Sequence, residues 1–137
     1  MAVVRVTFRW IGVSVFWFLV VTILWTALLG LVDPPVTWVM AQQAREQPSF
    51  SRVQVDLADI SRNMPLSVIA SEDQRFMTHS GFSWEAMQRA YQRNKNAKRI
   101  KGGSTISQQT AKNVFLWPGR TYVRKGLEAW FTILIEL

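Results

Sequence analysis

Three groups of residues have the types and spacing to do chemistry. Glu72 follows Ile69 and Val68 by three and four positions, so on a helix it shares their face. A carboxylate at the rim of an apolar face is partly desolvated, and desolvation raises its pKa toward the range useful for proton transfer. An ordinary exposed glutamate near a helix end is the plainer reading of the same spacing. The second group is Gly102-Gly103-Ser104-Thr105 ahead of a helical stretch. Glycines let backbone approach a ligand, and the free N–H groups of a helix start attract an anion. Serine or threonine after glycine is equally an ordinary helix cap. Down that helix Thr105, Gln109 and Lys112 recur at i, i+4 and i+7, a polar stripe opposite Ile106, Val114 and Phe115. The third group is Arg124, Lys125 and Glu128, spaced for ion pairs within one helix turn. Leu127, Trp130, Phe131, Ile133, Leu134 and Ile135 make that helix apolar nearly all round. A charged trio on a buried helix is expensive unless paired or functional.

Several chemistries are set aside. The chain has no cysteine, which removes a thiol nucleophile, a disulfide framework and a thiolate-bound metal. His79 is the single histidine, too few for a metal cluster, and it reads as a turn residue whose ring nitrogens satisfy nearby backbone. Net charge is +7 over 137 residues, a balance that favours polyanions such as anionic lipid headgroups, phosphorylated substrates or nucleic acid. The basic run Arg89, Arg93, Lys95, Lys98, Arg99 and Lys101 contains no acid; a solvated loop or a contact with anionic lipid accounts for it.

The elements that position these groups follow from periodicity and punctuation. Trp10 to Val32 carries no charge and is long enough, as a helix, to span roughly 30 Å of hydrocarbon. A cleaved signal peptide is the alternative, but the apolar run is longer than a usual signal core and no A-x-A site follows. Arg5 and Arg9 precede the span without acidic neighbours, which places the short N-terminus in the cytoplasm and the rest outside. Pro34-Pro35 ends the span. Residues 36–45 suit an amphipathic helix with Trp38 at the membrane interface, and residues 52–57 alternate like an extended segment. Helices are expected from Met64 to Glu72, from Trp84 to Asn94, from Ser104 to Phe115, and from Thr121 onward, separated by turns at 78–81 and 117–119.

Together the three groups are far more specific than any one. Glu72-Asp73-Gln74-Arg75-Phe76 with His79 and Gly81 resembles the first signature of the peptidoglycan glycosyltransferases, ED-x-x-F-x-x-H-x-G. Residues 102–113 resemble the second, G-x-S-T-x-x-Q-Q-x-x-K-N, and Arg124-Lys125 with Glu128 and Glu136 resembles the third, R-K-x-x-E. The resemblance covers about Met64 to Leu137 and is nearest to the monofunctional biosynthetic branch. It implies a mainly α fold: an N-terminal transmembrane helix followed by an incomplete lysozyme-like α-helical glycosyltransferase domain. Residues 1–9 are then cytoplasmic, 10–32 the anchor, 33–63 a membrane-proximal linker or jaw, and 64–137 the N-terminal part of the catalytic domain. The implied reaction polymerises lipid II into glycan strands at the bacterial inner membrane, releasing undecaprenyl pyrophosphate with inversion at the anomeric centre. Carried over by motif, Glu72 is the general base, and Glu128 the second essential carboxylate, organising the donor site. Lys112 and Arg124 grip the pyrophosphate, with Ser104, Gln109 and Lys125 as its polar surroundings.

No cofactor is required by this resemblance, and no dedicated metal site is visible; a divalent cation, Mg or Mn, at the pyrophosphate is compatible with it. The implied partners are lipid II, the growing strand, the membrane and other cell-wall synthesis proteins, with no nucleic acid. Two departures stand out. Ser83 takes the place of an aspartate found in many relatives, which bears on a helix cap. The chain also lacks a later K-x-x-I-L-x-x-Y-L-N segment of the family, so a truncated product with exposed apolar surface is expected. Two other functions remain open on sequence: a glycan-cleaving enzyme of lysozyme type, which has no need of Lys112 and Arg124, and a non-catalytic membrane module that binds lipid II or a cell-wall synthesis partner.

Overall fold

The computed structural model describes residues 2–47, 49, 51–97 and 102–137, with side chains from Val6 onward. Lys98, Arg99 and Lys101 of the basic run lie outside the described residues. Every regular element is helical, and no strand occurs among the described residues. The chain divides into two compact units, one ending at Pro35 and the other running from Val36 to Leu137.

The first unit is a single helix, α1 (Ala2–Leu31). It starts earlier than the charge-free run and carries Arg9 within it. From Val6 to Leu31 its mean hydropathy is 2.2, long and apolar enough to cross a membrane. Two of its hydroxyls are satisfied within the helix: Thr22 Oγ1 donates to Phe18 O at 2.8 Å, and Thr26 Oγ1 to Thr22 O at 2.9 Å. These bonds remove the penalty a free hydroxyl would meet in hydrocarbon. The helix stops at Leu31, short of the two prolines.

Among its described residues the second unit contains five α-helices: α2 (Trp38–Glu46), α3 (Asn63–Glu72), α4 (Trp84–Asn94), α5 (Ile106–Phe115) and α6 (Tyr122–Glu136). Single 3₁₀ turns occupy Leu57–Asp59 and Phe76–Thr78. Of the segment expected to be extended, 52–57, residues 52–56 are irregular and Leu57 opens a 3₁₀ turn; none pairs with a strand among the described residues. Helix starts follow their caps. Thr37 Oγ1 accepts from Met40 N in α2, Ser83 Oγ from Ala86 N in α4, and Thr121 Oγ1 from Arg124 N in α6. Ser83 therefore supplies the cap that the sequence assigned to its position.

The apolar core is small and lies between α5 and α6. Ala111, Leu116 and Phe131 are buried, and Phe115 stacks on Phe131 with ring centroids 4.4 Å apart. Leu127, Trp130, Leu134 and Ile135 pack around them half-buried. The face of α5 turned inward is Ser107, Gln108 and Ala111; the apolar positions Ile106 and Val114 are only half-buried. On α6 the buried positions are Glu128, Phe131 and Thr132, so that helix is enclosed along one stripe and not all round.

Candidate functional site

Glu72 is the last residue of α3, and its side chain is exposed. Val68, one turn earlier, is itself exposed, so the desolvating apolar cover expected from the spacing is absent. The carboxylate is held instead by a hydrogen bond: Gln109 Nε2, from α5, donates to Glu72 Oε2 at 2.9 Å. An exposed acid with one defined partner is placed but still open to a ligand.

The next residue behaves oppositely. Asp73 is buried, and its carboxylate accepts from His79 Nε2 at 2.9 and 3.1 Å and from the backbone N–H of Ile106 at 3.2 Å. Ile106 opens α5, where unpaired N–H groups and the helix dipole attract negative charge. The anion at this helix start is thus an internal carboxylate. Of the N–H groups that the sequence suggested for a ligand, that of Ile106 is taken by Asp73 and those of Thr105 and Gln108 by the side chains of Gln108 and Thr105. His79 likewise pairs with a side-chain carboxylate where backbone was expected, and its buried Nδ1 meets no partner among the described residues.

Thr105 completes the junction. It caps α5 in a capping box with Gln108, accepting from Gln108 N while Gln108 Oε1 accepts from Thr105 N. Its hydroxyl donates to Gly81 O at 2.6 Å. Gly81 has φ +75°, and a Cβ there would stand 2.8 Å from Thr132 Cγ2 on α6. Gly103 serves close packing as well: a Cβ on it would lie 2.8 Å from Ala90 Cβ and 3.0 Å from Ala86 O, both on α4. Close approach to a ligand is therefore left to Gly102, which has open space beside it.

Around these residues lies an open cleft of ≈ 240 Å³, lined by Glu72, Arg75, Arg89, Arg93, Gly102 and Ser104 among others. Glu85 pairs with both Arg75 and Arg89, the latter at 2.8 Å, so one acid offsets two of the three arginines. The sequence reading named Asp73 and Arg75 within the first signature but gave neither a role. Their acid–arginine pattern after a helix end is visible in the sequence, but their partners stand up to 33 positions away.

The α6 trio forms a separate cluster. Glu128 is 3% exposed; Arg124 Nη1 approaches Glu128 Oε2 at 3.3 Å, and Lys125 Nζ pairs with Glu128 Oε1. The Arg124 side chain is 11% exposed with Nε buried and unpartnered, whereas that of Lys125 is 53% exposed. Lys112 is half-buried on α5, and no carboxylate among the described residues pairs with it. The structure therefore joins Glu72 to Gln109 and to the cleft containing Ser104, and it joins Arg124 and Lys125 to Glu128. Lys112 and the trio do not line the cleft. Ser107 Oγ donates to Glu136 from the buried face of α5, a second link between α5 and α6.

Among the described residues no group of three or more His, Asp or Glu side chains could hold a metal ion. Glu128 is already committed to two cations and Asp73 to His79 and a backbone N–H.

Comparison with known proteins yields one family and consistent relatives. The model of the family described as transglycosylase matches residues 39–137. A protein of Caulobacter vibrioides named biosynthetic peptidoglycan transglycosylase is 54% identical over 109 residues, 80% of this chain and 48% of the relative. One of the same name from Xanthomonas campestris pv. campestris is 44% identical over 140 aligned positions, covering 97% of this chain and 57% of the relative. A third, from Aeromonas hydrophila subsp. hydrophila, is 47% identical over 120 residues, 85% of this chain and 51% of the relative. The chain spans about half the length of the curated relatives it matches.

Proposed function

The chain belongs to the transglycosylase family, and on that premise we propose that it carries part of the active centre of a membrane-anchored peptidoglycan glycosyltransferase. The substrate is lipid II, and the product is a glycan strand with undecaprenyl pyrophosphate released. In this reading residues 1–9 stay in the cytoplasm, 10–32 anchor the chain in the bacterial inner membrane, 33–63 lie beside it, and 64–137 contribute to catalysis on the outer side.

One observation carries the proposal: an exposed carboxylate, Glu72, fixed by Gln109 at the edge of an open cleft whose lining includes Arg75, Arg89, Arg93 and the glycine-rich approach to α5. Glu72 takes the proton from the 4-hydroxyl of the incoming lipid II sugar. The oxygen forms a bond to the anomeric carbon of the growing strand, and the bond from that carbon to the lipid diphosphate breaks. Negative charge builds on the departing diphosphate. Fixed cations already in position stabilise such charge without reorganising. Lys112, Arg124 and Lys125 are assigned that part, Ser104 and Gln109 the polar surroundings, and Glu128 the ordering of the cations on α6. No step is routed through a metal.

The test is conversion of labelled lipid II to polymer by the detergent-solubilised chain, read on a gel beside Glu72→Gln. Polymer from the parent and none from the variant, with lipid II binding retained, is the expected result. Near-normal turnover by Glu72→Gln removes Glu72 as the base. Lys112→Ala is expected to weaken apparent affinity for lipid II by about tenfold or more, the scale of one lost charge-assisted contact; an unchanged affinity withdraws the assignment.

A further inference from the structure

The Asp73 carboxylate joins three parts of the chain that are distant in sequence. It follows Glu72 directly at the end of α3, it accepts from His79 Nε2 in the turn beyond, and it accepts from Ile106 N–H at the first residue of α5. Asp73 and His79 side chains are 5% and 10% exposed. A carboxylate only accepts hydrogen bonds, so Nε2 of His79 carries a proton, and no partner among the described residues meets Nδ1. From the α5 start fixed in this way, Gln109 reaches back one helical turn on to Glu72.

We propose that Asp73 and His79 form a positioning couple that locks the end of α3 to the start of α5 and thereby sets where the Glu72 carboxylate stands relative to Gln109 and Ser104. Neither residue touches substrate in this scheme; both act through Glu72. The catalytic consequence rests on the proposed role of Glu72 as base, but the geometric consequence does not.

Because the chain has one histidine, its ring nitrogens give a single pair of ¹⁵N signals. In the solubilised full chain these should show a protonated, slowly exchanging Nε2; an unprotonated Nε2 overturns the couple. The Gln109 side-chain amide, identified by its loss in Gln109→Ala, reports the bond to Glu72. Asp73→Ala should move that resonance to the position it takes in Glu72→Ala while other glutamine amides stay in place. An unmoved Gln109 amide in a folded Asp73→Ala chain overturns the proposal. Should Asp73→Ala not fold, the histidine pair decides. His79→Gln retains an N–H donor and should keep the Gln109 resonance, whereas His79→Ala should shift it; identical behaviour of the two sinks the idea. Polymerisation measured alongside should show kcat lowered on the order of 10–100-fold in His79→Ala and restored by His79→Gln, with KM within about threefold, as expected for a misplaced base. If Glu72→Gln keeps full turnover, the reading of Glu72 falls, and the couple is still judged by the amide.

Discussion

Glu128 holds its charge inside the protein, between Arg124 and Lys125 on the same helix. Removing one member of a buried pair leaves the other uncompensated, which typically destabilises by about 3–5 kcal/mol. Glu128→Ala should lower stability on that scale in denaturant unfolding followed by helical circular dichroism. Adding Arg124→Met should recover most of the loss, because the stranded guanidinium is then gone. Lys125→Ala alone should change stability by less than about 1 kcal/mol, since its side chain is half in solvent. The sequence made the trio visible, because charges at i+3 and i+4 on an apolar helix stand out. It did not reveal that Arg124 would be enclosed and Lys125 left open, as that depends on which stripe of α6 meets α5. Glu72 was legible as a candidate for the same kind of reason, but its partner Gln109 is 37 residues away and no local pattern links them.

The start of α5 is where local pattern and tertiary structure meet most closely. Thr105 followed three residues later by Gln108 is a capping-box sequence, and it moves the helix start to Ile106 from the Ser104 suggested by the glycine pair. Thr105→Ala removes the cap and strands the buried Gly81 carbonyl; a loss of roughly 2–3 kcal/mol is expected in thermal or denaturant unfolding. Gly81→Ala should cost about as much, from its positive φ together with a collision with the fully enclosed Thr132. By contrast, α4 was read to its observed ends, Trp84 and Asn94, since a polar–apolar alternation at helical period and a serine cap agree there. The inward face of α5 was not legible. Ser107 and Gln108 are buried because each finds a hydrogen-bond partner, and hydrophobic periodicity registers only apolar letters.

Over the whole chain, the two units answer to different solvents. The apolar side chains of α1, Trp10, Trp17 and Leu24 among them, are exposed and would be stable only in hydrocarbon or detergent. The chain should sediment with membranes and resist release by high salt, and deletion of residues 1–32 should move it to the salt-extractable or soluble fraction; extraction of the parent by salt alone would remove α1 as an anchor. The helical class and the apolar span were both legible, the first from period and caps, the second from an uncharged run. The cleft was not, because its walls are assembled from α3, α4 and the approach to α5. One of those walls is gauged by something missing. At Gly103 the chain rests against the backbone and a methyl of α4 with no side chain between them, so α4, with Arg89 and Arg93 on it, stands close to van der Waals contact with the glycine-rich segment. A methyl inserted at this point works as a shim: Gly103→Ala would part the two surfaces and widen the gap that Glu72 overlooks, retuning the mouth of the cleft through one of its own walls.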